Sequence, residues 1–273
     1  MSKIRLDLLL VERGLAESRA KAQALIMAGQ VRVDGQMEIK ASAAVASEVR
    51  LDLNIGPRFV SRGGNKLDAA LMAFPVLVEG RVCADVGSST GGFTDCLLQH
   101  GAAKVFAVDV GKGILHWKLR SDPRVIVMEE TNARYVESLP EPVSLVTIDA
   151  SFISLKILLP VVKEWFRPPS DPPHFEDMKK EKKGGVIALI KPQFEAGRKE
   201  SAKHKGVIRD PAVHKAILLD VLTFAQGQCL CVRGLLRSPV LGPKGNVEFL
   251  AWLGVGEAGE TDVAFLVQQI LGA

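Results

Sequence analysis

The stretch Val82–Phe93, V-C-A-D-V-G-S-S-T-G-G-F, decides how the rest of the chain reads. Val82, Cys83, Ala84 and Val86 make a short apolar run between Gly80 and Gly87, the pattern of a buried strand. Gly87, Gly91 and Gly92 then turn the chain, and Phe93 to Gln99 continues at helical spacing until Gly101. Such a turn, between a strand's carboxyl end and a helix, lets backbone N–H groups approach a ligand closely. In an open α/β sheet that position is also where ligands bind. The loop lacks the Gly-Lys-Ser/Thr ending of a Walker phosphate loop, and its glycines do not fit the dinucleotide spacing G-x-G-x-x-G. Asp85 sits at the strand end, and Asp109 closes the next apolar run, Val105 to Val108, where a carboxylate can accept from two ribose hydroxyls. Ribose recognition without a pyrophosphate cradle points to an adenosine-bearing cofactor such as S-adenosyl-L-methionine. A methyltransferase and another nucleoside-binding Rossmann-like domain both remain open at this point.

The chain has 273 residues, enough for one large or two modest domains. With 47% hydrophobic and 24% charged residues it reads as globular rather than fibrous or disordered. No apolar run approaches the roughly 20 residues of a bilayer span, and the charged opening from Lys3 to Arg13 is unlike a signal peptide. A cytoplasmic protein without a membrane partner is expected, a monomer by default. Cys83, Cys96, Cys229 and Cys231 lack metal-ligand spacing and read as small hydrophobes, so no metal is expected. The net charge of +4 is unevenly spread: residues 176–215 carry eleven Lys/Arg against six Asp/Glu. A basic stretch beside a candidate site suits a polyanionic substrate.

Upstream, residues 1–55 form a self-contained pattern. Leu6, Leu9, Leu10 and Val11 share a helical face that ends at Gly14, and Ser18 caps a second helix carrying Ala22, Leu25 and Ile26. Val31-Arg32-Val33 alternates as a strand, Asp34-Gly35 signals a tight turn, and Val49 and Leu51 suggest one more strand. The run from Arg5 to Gly35 resembles the RNA-binding domain named after small-subunit ribosomal protein S-four, with Arg-Leu-Asp, Ser-Arg-x-x-Ala and Gly-x-Val-x-Val-Asp-Gly in register. The resemblance implies a basic face of Arg5, Arg13, Arg19, Lys21 and Arg32 that grips structured RNA through phosphates.

A linker over 56–61, with its Gly-Pro step, leads to a domain over 62–273. Lys66 falls at the start of a helix, where the dipole disfavours a cation without an acidic partner. Further strands are expected at Val125–Met128, Val143–Ile148, Val186–Ile190, Gln228–Leu235 and Val247–Leu253. Asn132 follows one strand end, where it can face an adenine edge; Asp149 and Lys191 cap two others, and Glu248 opens the last. A carboxylate at the tip of a buried strand needs a cation nearby. Residues 168–185 look like an insertion and Arg198–Pro211 like a mobile lid.

Lys66, Asp149, Lys191 and Glu248, in that order, resemble the catalytic tetrad of the FtsJ-like RNA ribose 2′-O-methyltransferases. S-R-G-G-N-K-L, D-V-G-S-S-T-G-G-F-T-D, I-D-A-S-F-I-S, K-P-Q-F-E-A-G-R and G-P-K-G-N-V-E-F-L extend the likeness to the TlyA family, which joins an S-four domain to that methyltransferase and whose members are often labelled haemolysins. The resemblance implies a small α+β RNA-binding domain followed by a Rossmann-like, seven-stranded α/β methyltransferase sheet with helices on both faces. It implies S-adenosyl-L-methionine as cofactor, held by Asp85, Gly87, Ser88, Ser89, Thr90, Gly91, Gly92, Phe93, Asp109, Asn132 and Asp149. The substrate it implies is ribosomal RNA or a ribosomal subunit, methylated at a ribose 2′-hydroxyl, with Arg62 and Arg198 as further RNA contacts. On this reading Lys191 takes the hydroxyl proton, Lys66 orients the hydroxyl, and Asp149 and Glu248 hold the two ammonium groups. A non-catalytic ribosome-assembly factor, a membrane-active toxin and a small-molecule methyltransferase are the rival readings.

Overall fold

The computed structural model describes residues 3–54, 56–166, 184–197, 206–255 and 261–272, in two compact units, Met1–Arg58 and Phe59–Ala273. The first unit contains β1 (Lys3–Arg5), α1 (Leu6–Glu12), α2 (Arg19–Met27), β2 (Val31–Val33), β3 (Gln36–Met37), β4 (Ala44–Ala46) and β5 (Leu51–Leu53). Ser18 caps α2 by accepting from the Lys21 N–H. Asp34 and Gly35 both take positive φ, 50° and 84°, as a tight two-residue hairpin turn requires. Leu6, Leu10, Ala22, Ile26 and Val31 close a small core beneath the antiparallel sheet β3-β2-β5. The pairing of β1 with β4 was not expected: residues 41–47 are small and carry no alternation to mark a strand.

The second unit begins with α3 (Gly63–Ala73), β6 (Val82–Val86), α4 (Gly92–Gln99), β7 (Lys104–Val108), α5 (Trp117–Arg120), β8 (Val125–Met128), β9 (Leu145–Ile148) and α6 (Leu155–Val162). It continues with β10 (Gly185–Ile190), α7 (Pro192–Glu195), α8 (Pro211–Gly227), β11 (Leu230–Arg237), β12 (Phe249–Val255) and α9 (Val263–Gly272). The strands form one seven-stranded sheet in the order β11-β12-β10-β9-β6-β7-β8. β12 runs antiparallel to both neighbours, and the pairs from β10 to β8 are parallel. Because successive strand residues point to opposite faces, Ala84, Val86, Phe106, Val108, Val146 and Ile148 join one core with residues of α6 and α8. Cys83, Val105, Ala107, Leu145, Ile187 and Leu189 join the other, with residues of α3 and α4. Helices therefore cover both faces, and burial pushes the Cys83 thiol up to about 12, making it an inert packing group.

Chain order reverses between β6 and β9, which opens a crevice outside their carboxyl ends. The helix after Gly113, α5, is a single turn, and α6 gives way after Val162 to a 3-10 turn over Lys163–Phe166. Residues 168–183 of the expected insertion and 198–205 of the expected lid lie outside the described residues. Among the described residues no helix is long and apolar enough to cross a membrane.

α3 and α4 meet across glycines. A Cβ at Gly92 would lie 2.8 Å from the Gly64 nitrogen, and one at Gly64 only 2.3 Å from Cγ of the buried Phe59 ring. The Val60 N–H also donates to Asp95 Oδ2 of α4 at 2.9 Å, so the segment leading into α3 is fixed from two sides. Gly64→Ala is expected to cost about 1–3 kcal/mol through overpacking. The readout is the thermal midpoint of the full chain; an unchanged midpoint would mean that Phe59 does not fill this space.

Candidate active site

The crevice deepens into a cleft of about 330 Å³ whose walls include Ser61, Arg62, Gly63 and Lys66 from the start of α3 and Gly87–Thr90, Gly92 and Phe93 from the glycine loop. Asp149 and Ser151 after β9, Lys191 after β10, and Val240–Pro243 with Glu248 before β12 complete it. All four charged residues singled out in the sequence thus line one cleft. The apolar strands β9 and β10 release Asp149 and Lys191 at the rim, Glu248 immediately precedes β12, and Lys66 comes from the first turns of α3.

The charges are paired crosswise. Lys66 Nζ donates to Glu248 Oε2 at 2.6 Å, with side-chain exposures of 10% and 0%. Lys191 Nζ lies 2.6 Å from Asp149 Oδ1, with exposures of 8% and 20%. Two groups the sequence reading did not single out complete the arrangement. Ser151 Oγ accepts from Lys191 Nζ at 3.0 Å, and Gln193 Nε2 donates to Glu248 Oε1 at 3.2 Å. Their signal was position alone: each lies two residues beyond a tetrad member, on the same turn of chain. Gly242 is required for a different reason, because a Cβ there would fall 2.1 Å from Glu248 Oε1.

The residues expected to hold a nucleoside divide. Gly87, Ser88, Ser89, Thr90, Gly92, Phe93 and Asp149 line the cleft. Gly91 instead turns the loop with φ +97° and backs onto Leu119, which a Cβ would strike at 2.1 Å. Asp109 sits beside the loop, where its Oδ2 accepts the Ser89 N–H and its Oδ1 the Gly111 N–H, both at 2.7 Å. Asn132 is not in the cleft wall; its side-chain oxygen caps the 3-10 turn Ala133–Tyr135 by accepting from the Arg134 N–H. Asp85 is not in the wall either. It is fully buried beneath the loop, accepting from Thr94 Oγ1 of α4 at 2.7 Å and Thr147 Oγ1 of β9 at 3.2 Å. It shares the strand parity of Cys83, so alternation sends its side chain inward to α4.

Of the expected RNA contacts, Arg62 lines the cleft and Arg198 lies outside the described residues. Arg13 donates to the Val49 and Ser47 carbonyls, Arg32 donates to the Gly35 carbonyl, and Lys21 is exposed on α2. Arg5 and Arg19 both pair with Asp7. Away from the cleft, Asp68, Cys96 and His100 bring their donor atoms within 4.8 Å of one another on α3 and α4. There His100 Nε2 and Asp68 Oδ1 make a 2.8 Å pair, a combination that cysteine spacing could not reveal.

With this geometry in view, the chain's relatives can be compared. Residues 59–255 match the FtsJ-like methyltransferase family, and residues 4–45 match the S4 domain. YqxC of Bacillus subtilis, whose name assigns it to rRNA methylation, is 46% identical over 268 residues, covering 94% of this chain and 89% of its own. The Mycobacterium tuberculosis protein named 16S/23S rRNA (cytidine-2′-O)-methyltransferase TlyA is 43% identical over 255 residues, covering 92% and 90%. A solved structure from Streptococcus thermophilus, described as a hemolysin, superposes with a TM-score of 0.71 at 39% identity and covers 100% of this chain and 95% of that one.

Burial pushes the Asp85 carboxyl up to about 7, Thr94 lowering it in part and Asp149 adding to the rise. An acid whose folded value is raised keeps its proton while the unfolded chain loses it, so stability should fall as pH rises from about 4 to about 7. Above that range the folded carboxyl ionises too and the curve flattens. Asp85→Asn is expected to remove this slope. Denaturant midpoints of both proteins across that range would show the difference between them widening with pH; a constant difference would refute the assignment.

Proposed function

The chain belongs to the FtsJ-like methyltransferase family, with an S4 domain ahead of the catalytic domain, and from that premise we propose that it methylates a ribose 2′-hydroxyl of ribosomal RNA, at a cytidine, in the cytoplasm. The observation that carries the proposal is the cleft in which two lysines, each held by its own carboxylate, stand beside the glycine loop. The cytidine and the ribosomal RNA come from the names of the relatives. The hemolysin label of one relative finds no membrane-spanning helix among the described residues of this chain.

The residues present fit an adenosine-bearing methyl donor. Gly87, with φ +80°, has no room for a side chain, since a Cβ would lie 2.8 Å from the Asp149 carbonyl oxygen. The loop backbone therefore runs directly against the turn that carries Asp149. Each Asp109 oxygen accepts one backbone N–H and retains lone pairs for ribose hydroxyls. Residues 88–90, Gly92 and Asp109 would hold the nucleoside, and Asp149 would face the methionine end. S-adenosylmethionine, when bound, supplies the methyl group on a sulfonium.

A ribose hydroxyl is a weak nucleophile near neutral pH and needs its proton removed as it attacks. Lys191, anchored by Asp149 and Ser151, is placed to accept that proton. Lys191 acts from its neutral amine, so its resting ammonium first gives a proton to water; as methyl passes from sulfur to the ribose oxygen, the hydroxyl proton goes to the free Nζ and Asp149 balances the ammonium so restored. Lys66, aimed by Glu248, orients the hydroxyl for in-line attack. Phe152 supplies the remaining requirement. It is 90% exposed, held at φ +64°, and packs 4.9 Å from the Phe194 ring next to Lys191. A large exposed aromatic in a strained backbone conformation is a stacking surface for a base drawn out of its helix.

Incubation with ribosomal RNA and methyl-labelled donor should label a ribose oxygen, and Lys191→Ala should reduce the rate by about 10²–10⁴-fold with donor affinity intact. Undiminished methylation by that variant would remove Lys191 from the mechanism. Phe152→Ala should weaken RNA binding by about 1–3 kcal/mol, the scale of one lost base stack. It should appear in the KM for RNA and leave the dissociation constant for the donor unchanged; an unaltered KM would rule out the stacking role.

A further inference from the structure

α3 and α4 cross where Gly64 meets Gly92, and a Cβ on Gly92 would lie 2.8 Å from the Gly64 nitrogen. Residues four apart stack on one helical face, so positions 68 and 96, then 100, continue the same line of contact. The residues there are Asp68, Cys96 and His100: a carboxylate, a thiol and an imidazole. Their donor atoms all lie within 4.8 Å of one another. Cys96 is fully buried, whereas the side chains of His100 and Asp68 are 26% and 18% exposed. The cluster therefore has a dry floor and an opening to solvent.

His100 Nε2 and Asp68 Oδ1 already pair at 2.8 Å, with the Cys96 sulfur beside them. Ligand atoms of one tetrahedral zinc ion stand about 3.3–3.8 Å apart, as its bond lengths to oxygen, nitrogen and sulfur require. Reaching that spacing moves these donors by roughly 1 Å relative to one another, within the reach of small side-chain rotations. A thiolate disfavours magnesium and calcium, and a mixed sulfur, nitrogen and oxygen set suits zinc. His100 is also the residue that ends α4, where the helix dipole favours a cation. A thiolate and a carboxylate together cancel the charge of a divalent ion, so its burial leaves no charge uncompensated.

We propose that Asp68, Cys96 and His100 bind a zinc ion, with water in the fourth position, and that the ion ties α3 to α4. Binding releases the Cys96 thiol proton to water and exchanges the His100–Asp68 hydrogen bond for two bonds to the metal. None of the three residues lines the cleft, so the ion is a structural one and takes no part in methyl transfer. Its place in the fold is nevertheless close to the chemistry, because Asp68 follows Lys66 by two residues on α3.

The test uses the full chain, stripped of metal with a chelator and titrated under reducing conditions with cobalt(II), a spectroscopic substitute for zinc. Wild-type protein should bind a single equivalent, showing a sulfur-to-cobalt charge-transfer band and the visible bands of a tetrahedral ion, and zinc should displace it. Cys96→Ser should lose the charge-transfer band, and a protein carrying Cys229→Ser and Cys231→Ser should keep it. His100→Gln, at a partly exposed position, should weaken cobalt binding by more than about tenfold, the least that losing even an indirect partner of a metal costs. Zinc should raise the thermal midpoint of the wild type and not that of His100→Gln. Wild-type protein without the charge-transfer band, or a band that survives in folded Cys96→Ser, would overturn the proposal. If Cys96→Ser does not fold, His100→Gln decides: cobalt affinity equal to wild type, or the same zinc-induced rise in midpoint, overturns it equally.

Discussion

Two ammonium groups and two carboxylates can share a dry cleft only if every charge faces an opposite one. Lys66 and Glu248 are almost wholly removed from water, and Lys191 and Asp149 nearly so. Ion pairs of this kind add little net stability, because desolvation offsets most of their attraction; breaking one leaves an uncompensated buried charge and costs about 3–5 kcal/mol. The pairs therefore report what the cleft is for rather than what holds the domain together. The cores on either face of the sheet do that, and they place four charged residues from distant parts of the chain at the ends of adjacent elements. Gln193 and Ser151 extend the same requirement, each supplying a polar partner within the cluster.

The sheet was legible because its strands are short apolar runs with glycine or proline at their ends, and because ligands in such sheets collect at the strands' carboxyl ends. The order of the strands was legible only through the resemblance. Which lysine pairs with which carboxylate was not legible at all, since it depends on the crossover that brings β12 beside β10. Asp85 lies beneath the loop rather than in the cleft wall, for an instructive reason. Proximity to the glycine loop suggested a ligand contact, while the period-two rule, applied to Cys83 and Asp85, already assigned both side chains to the α4 face. The small strands β1 and β4 escaped notice because a run of alanine and serine carries no pattern, and their pairing is set by the tertiary context of the first unit.

Asn132 makes a related point. Asparagine after a strand suits an adenine edge, but it suits a cap equally well, and here its side-chain oxygen accepts the Arg134 N–H of the 3-10 turn that follows. Sequence position identifies the rim on which such a residue lies; it does not choose between a ligand and the residue's own backbone. Asp109 lies between these cases. Its oxygens brace the loop through Ser89 and Gly111, which places the same carboxylate beside the crevice that a nucleoside would occupy. Bracing and binding are compatible there because a carboxylate has more acceptor sites than the backbone uses.

The balance of charge in the cleft constrains how a polyanion is held. Two cations and two anions, paired one to one, offer no net attraction for phosphate, so the cleft can align a ribose but cannot by itself gather RNA. Affinity has to come from cations outside the tetrad. Arg62 is the one such cation in the cleft wall among the described residues. The first unit is not intensely basic, with nine Lys/Arg against seven Asp/Glu over residues 1–60, so its contribution depends on where the charges are fixed rather than on how many there are.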